Sequence, residues 1–95
     1  MTTVFIQHRV ADYDAWRPEY DRAVTADWSK GIRAHRVWRG QDDPNLVIVA
    51  NTFDSREVAD ALLNQPVLRE AMARGGVIAS SVRMDYVEEV AGGTL

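Results

Sequence analysis

The sequence predicts an α+β fold whose elements run strand, helix, strand, strand, helix, strand. Three observations carry that reading. Thr3–Val10 (TVFIQHRV) and Leu46–Phe53 (LVIVANTF) are short runs rich in β-branched residues, the composition of strands. Two segments, after Asp12 and after Asp54–Ser55, repeat apolar residues at steps of three and four, the period of a helix. Between the second and third strands, GQDDPN (40–45) concentrates the residues that make tight turns cheap.

Each element follows from local chemistry. In the first strand Val4, Ile6, His8 and Val10 point one way, and Phe5, Gln7 and Arg9 the other. Asp12 is placed to cap the first helix, on which Tyr13, Trp16, Tyr20, Ala23, Val24 and Trp28 share a face. Pro18 is tolerated only in a first turn and otherwise kinks that helix. Gly31 breaks the pattern, and Ile32–Arg39 (IRAHRVWR) reads as a strand that forms a hairpin with Leu46–Phe53. Asp54 or Ser55 caps the next helix, Glu57 standing three residues after Asp54, and Val58, Ala59, Leu62 and Leu63 form its buried stripe. Pro66 stops it and can open another helix, VLREAMAR, that ends at Gly75–Gly76. Ile78–Val90 holds the fourth strand, and residues 92–95 form a tail that frays.

This order is the split β-α-β, ferredoxin-like arrangement: a four-stranded antiparallel sheet with its helices on one face, occupying residues 1–91 as a single domain. A sheet covered on one side alone shows apolar and polar residues in alternation. Here neighbouring positions are both apolar, as at Phe5 and Ile6 or Val47 and Ile48. The excess predicts that a second copy packs on the open sheet face to make a homodimer.

Composition narrows the function. The 95 residues are 46% hydrophobic and 26% charged, a globular balance that excludes collagen-like and disordered chains. Cys is absent, which removes disulfides, thiolate metal sites and cysteine nucleophiles. The net charge of −3 splits into +2 over residues 1–40 and −5 over 41–95, so no global field attracts nucleic acid or an anionic bilayer. MTTVFIQHRV does not read as a signal peptide, and the longest apolar run, Leu46–Ala50, is far short of the roughly 20 residues that span a membrane. The expectation is a cytoplasmic protein. Two His 27 positions apart make no recognisable metal cluster, and Asp42–Asp43 lacks the spaced oxygens of a calcium loop. No phosphate-binding glycine loop or nucleophile elbow occurs, so no cofactor is implied.

HRVADYDAW (8–16), WRGQDDPN (38–45), LREAMARGGV (68–77) and YVEEV (86–90) together resemble small bacterial proteins of the dimeric α+β barrel superfamily, which includes the antibiotic biosynthesis monooxygenases. The resemblance spans nearly the whole chain. It implies a dimer with a cavity between the sheet and the helices of each subunit. Relatives use that cavity for cofactor-free oxygenation, polyketide cyclisation, isomerisation or haem degradation, and fold alone does not choose among these.

His8 is the first candidate for chemistry. It shares the face assigned to the helices, and an imidazole that titrates near neutrality can take a proton from a phenol or from a carbon beside a carbonyl. The alternative is a buried histidine satisfied by a backbone carbonyl or by Tyr13. Asn51 is the second, an amide among Val47, Val49 and Phe53 that needs a partner. As a donor it would steady an oxyanion; otherwise it makes a structural hydrogen bond.

Trp16 and Tyr20, four apart, are placed to clamp an aromatic ring or simply to fill a small core. Tyr86 is placed to close the pocket or the dimer contact, and Arg36 to meet an anionic substrate, with His35 toward the dimer side. Lys30, Arg33, Arg36 and Arg39 recur every third residue, but a strand sends Arg33 and Arg39 away from Arg36, so they form no stripe for nucleic acid. Two functions stay open: a cofactor-independent monooxygenase or cyclase acting on a small aromatic or polyketide-like molecule, and a non-catalytic ligand-binding or structural homodimer.

Overall fold

A computed structural model describes residues 1–95. The elements are β1 (Thr2–Arg9), α1 (Tyr13–Val24), β2 (Ala34–Arg39), β3 (Leu46–Phe53), α2 (Arg56–Leu63), α3 (Pro66–Arg74) and β4 (Arg83–Val87). Short 3-10 turns occupy Asp27–Ser29 and Ala79–Ser81. The sheet is antiparallel throughout, in the order β2-β3-β1-β4, so the two long apolar strands lie at its centre. This is the expected ferredoxin-like α+β fold, with the second helical region divided at Pro66.

The caps explain where the helices start. Asp12 accepts from the Asp14 N–H at 3.2 Å, and Asn45 of the hairpin turn accepts from the Tyr13 N–H at 3.0 Å. Ser55, not Asp54, caps α2 by accepting from the Val58 N–H at 3.2 Å. Pro66 begins α3, where its missing N–H costs nothing. Pro18 falls well past the first turn of α1, so the Asp14 carbonyl loses its helical partner, yet α1 continues to Val24. At the end of α3, Gly76 adopts φ +75°, a left-handed conformation that side chains other than glycine rarely take.

The core lies between the helices and one face of β1 and β3, built on Val4, Ile6, Val47, Val49, Phe53, Trp16, Ala59 and Leu62. Gly75 lets α1 seat closely: a methyl group there would stand 3.0 Å from Trp16 Cδ1. Several expected boundaries shift: β1 spans Thr2–Arg9 rather than Thr3–Val10, and α1 ends at Val24, leaving Trp28 in the 3-10 turn. The Ile32 N–H closes a turn onto the Ser29 carbonyl, so β2 begins at Ala34. The turn at Ala79–Ser81, whose Ser81 hydroxyl accepts from the Arg9 N–H at 2.8 Å, delays β4 to Arg83, and β4 ends at Val87. Val58 is 37% exposed rather than part of the buried stripe.

The open face is mixed. Phe5 stacks on Trp38 at 6.1 Å between ring centroids, beside Ala50 and Val87, while Gln7, Arg9, Arg36, Arg83 and Asp85 surround them. Trp38 is 46% exposed there. The edge strands differ in charge: β2 and its approach carry Arg33, Arg36 and Arg39, whereas β4 carries Arg83 paired with Asp85 at 2.9 Å and is followed by Glu88 and Glu89.

Candidate functional site

A slot opens between the sheet and the helices. Its floor is Ile6 and His8 of β1 with Val49 and Asn51 of β3; its roof is Trp16 and Tyr20 of α1; Leu62, Leu68 and Met72 close the far wall. The free space at its centre is about 60 Å³, room for a few waters. Apart from four polar or charged side chains, the lining is hydrophobic.

Alternation along β1 and β3 puts His8 and Asn51 on this floor, where they are 3% and 6% exposed. Each carries a buried atom without a hydrogen-bond partner, His8 Nδ1 and Asn51 Oδ1. Burial holds the His8 pKa below its usual value; its own backbone carbonyl pulls the other way without making a well-formed bond. His8 is therefore a neutral base at pH 7. The register separates the two residues: His8 lies opposite Val47, and Asn51 opposite Val4. The offset is four residues along the strand, about 13 Å between backbone positions at roughly 3.3 Å per residue. The slot thus has a polar group toward each end and an apolar middle.

The roof is a run of rings. Trp16 meets His8 edge-on at 5.7 Å and stacks on Tyr20 at 4.9 Å. The Tyr20 hydroxyl lies 3.2 Å from His35 Nδ1. Burial pushes the Tyr20 pKa up to about 12, so the phenol stays protonated. Glu19 is the one charged side chain in the lining, and it pairs with Arg22 and, at 3.8 Å, with Arg74 across to α3. Ser29 also reaches the slot, but its hydroxyl donates to the Ala23 carbonyl.

Of the six residues singled out in the sequence, His8, Asn51, Trp16 and Tyr20 line this slot. Arg36 does not. Pairing opposite Ala50 sends it to the open face, while His35, opposite Asn51, turns toward the helices. The strand parity was legible, but its direction follows from the β2–β3 register. Tyr86 pairs with Val4 on the other side of β1, away from the slot, and lies under the Arg56 guanidinium at 4.3 Å. Its pKa is raised by burial and by Asp60. Sequence reading missed His35, Glu19 and Ser29 as neighbours of the site. The one available signal for Glu19 was its helical offset, three residues from Trp16. No group of three His, Asp or Glu side chains converges to hold a metal ion, and no helix is long and apolar enough to cross a membrane.

No protein-family model and no curated protein matches the chain. Solved structures do. A candidate antibiotic biosynthesis monooxygenase from Chloroflexus aurantiacus superposes with a TM-score of 0.70 at 19% identity, covering 99% of this chain and 98% of its own. An antibiotic biosynthesis monooxygenase matches with a TM-score of 0.74 at 14% identity, over 96% and 100%. SnoaB, a cofactor-independent oxygenase from Streptomyces nogalater, matches with a TM-score of 0.68 at 15% identity, over 99% and 95%. The chain shares the fold of these antibiotic biosynthesis monooxygenase structures. At these identities the likeness establishes that fold and leaves the chemistry to the site.

Proposed function

We propose that this protein is a cofactor-independent oxygenase of small aromatic, polyketide-like molecules. The observation that carries the reading is His8: a buried, neutral imidazole with an unpartnered nitrogen, on the floor of an apolar slot roofed by Trp16 and Tyr20. Such a base takes the proton of a phenol or of a carbon next to a carbonyl. Trp16 and Tyr20 hold the ring, and the Asn51 amide steadies negative charge delocalised toward the far end. An electron-rich anion of this kind reduces dioxygen itself, so the protein's part is to bind, deprotonate and exclude water. A cyclase would use the same base for an aldol closure, and the same apolar slot supports that second reading.

The working unit in this proposal is a homodimer joined through the open sheet face. The exposed Phe5–Trp38 stack supports it, as does the contrast between the basic β2 edge and the acidic Glu88–Glu89 segment that follows β4.

The test is an oxygen-uptake and absorbance screen against anthrone- and quinol-like phenols, comparing wild type with His8→Ala. Uptake by wild type that falls at least a hundredfold in the variant supports the reading. Turnover untouched by the substitution removes His8 from it. Binding without turnover across the panel leaves a ligand-binding dimer instead.

A further inference from the structure

The chain has two histidines, and a continuous run of rings joins them. His8 is buried on the slot floor, whereas His35 is exposed on the edge strand β2. Between them Trp16 meets His8 edge-on at 5.7 Å and stacks on Tyr20 at 4.9 Å, with the two ring planes 26° apart. At the outer end the Tyr20 hydroxyl donates to His35 Nδ1 at 3.2 Å. Burial keeps that phenol protonated, and a phenol that loses an electron becomes a strong acid. Its oxidation is therefore easy only where a base takes the proton in the same step, and His35 is such a base. Neither of the other tyrosines offers this. Tyr13, tilted against Trp16 at 5.8 Å, accepts from Arg17 at 3.3 Å and lies under the Arg39 guanidinium at 4.7 Å. Tyr86 lies under Arg56 at 4.3 Å, outside the run of rings. A cation held against a ring opposes the loss of an electron from it.

We propose that Trp16, Tyr20 and His35 form a redox conduit that carries an oxidising equivalent from the slot to the protein surface, with Tyr20 as the residue that holds the radical. The oxidant is an organic oxyl radical formed against Trp16. Trp16 gives that radical one electron, turning it into the oxyanion, and regains one electron from Tyr20. The Tyr20 proton passes along the existing hydrogen bond to His35 Nδ1, which leaves a neutral phenoxyl beside an imidazolium. One electron has then moved to the oxidant and one proton to His35, and no other bond has changed. His35 is exposed, so it returns the proton to water, and the phenoxyl sits at the rim where small reductants reach it. These steps involve only the protein's own rings, so they go beyond the oxygenase reading and do not rest on it.

The experiment oxidises the full chain with photogenerated tris(bipyridine)ruthenium(III) and records the trapped radical by electron paramagnetic resonance. Wild type should give a neutral tyrosyl radical with a hydrogen-bond coupling that exchanges in heavy water. In Tyr20→Phe the tyrosyl yield should fall roughly tenfold, the preference that one hydrogen bond confers on a site over its competitors. His35→Ala should lose a similar factor, and added imidazole should restore it, a rescue that a contact serving packing alone would not show. The conduit is tested in Trp28→Phe combined with Trp38→Phe, which leaves Trp16 as the only tryptophan. Azide radicals from pulse radiolysis oxidise that indole, and its radical should decay as the tyrosyl signal grows, at a rate independent of protein concentration. With Tyr20→Phe added, the tryptophan radical should live roughly tenfold longer. The wild-type and His35→Ala measurements decide the site independently of that background. No tyrosyl radical, one that survives in Tyr20→Phe, failure of imidazole rescue, or a Trp16 radical indifferent to Tyr20 would overturn the proposal. None of these readouts uses a slot ligand, so failure of the oxygenase reading leaves them unchanged.

Discussion

The Tyr20 hydroxyl and His35 Nδ1 share a hydrogen bond of 3.2 Å that ties the roof helix α1 to the edge strand β2. Most of the site is built from central strands, whereas this contact fixes one roof ring from the rim. A double-mutant cycle with Tyr20→Phe and His35→Ala should return a coupling of about 0.5–1.5 kcal/mol in thermal or urea unfolding. Additive losses would show that the pair is not joined in solution.

Tyr20 also predicts an alkaline signature. Its folded pKa of about 12 lies above the ordinary 10.0, so its contribution to stability is complete below pH 10 and is lost as pH rises through about 12. Phenolate absorbance should show a late-titrating tyrosine in the wild type that is missing in Tyr20→Phe.

His8 predicts the opposite limb. Burial lowers its folded pKa below the value near 6.5 of the unfolded chain. Between the two values the unfolded chain binds the proton and the folded chain does not, so stability falls as pH drops below about 6.5 and levels off under the folded value. The melting temperature of wild type should decline over that range, and His8→Leu should flatten it. Asp43 and Asp54, lowered by Arg9 and Arg33, act only at more acid pH, so the two effects separate. An unchanged acid limb in His8→Leu would contradict a buried neutral imidazole.

Asn51→Leu should make the protein more stable. The amide leaves Oδ1 buried and unpaired, and a side chain of similar volume removes that cost, so unfolding should require about 1–3 kcal/mol more. Chemical denaturation measures this directly, and a loss of stability would mean that Asn51 is satisfied in solution.

The open sheet face gives a test of assembly. Trp38→Glu places a charge beside Phe5, so wild type should sediment as a dimer at micromolar concentration and the variant as a monomer. A wild-type monomer would end the proposal that two sheets pack face to face.

The central strands were legible because their chemistry is redundant. β3 runs over the same residues, Leu46–Phe53, that its β-branched composition marks, and the His8 and Asn51 faces follow from simple alternation. β2 was harder. Val37 and Trp38 are adjacent, so hydrophobicity favours neither face, and only pairing with β3 decides that His35, Val37 and Arg39 turn toward the helices. Tyr86 shows a different limit: the sequence left it between the pocket and the dimer contact, and only pairing opposite Val4 and the strand order place it on the helix side, away from the slot. Likewise, Pro18 and the late start of β4 depend on tertiary support and on a turn at Ala79–Ser81 that carries no strong breaker.

The close seat of Trp16 against Gly75 has a consequence for how such a slot diversifies. Gly75 has an ordinary helical φ of −77°, so alanine there meets no backbone obstacle and adds only a methyl group against Trp16 Cδ1 and Glu19 Cβ. A few tenths of an ångström of outward movement by α1 would absorb it. The headroom over the sheet is thus metered by one absent methyl group, which acts on His8 only through the Trp16 ring. A chain of this scaffold can retune the thickness of the molecule it admits by exchanging a shim at the end of α3, without replacing a residue of the slot floor.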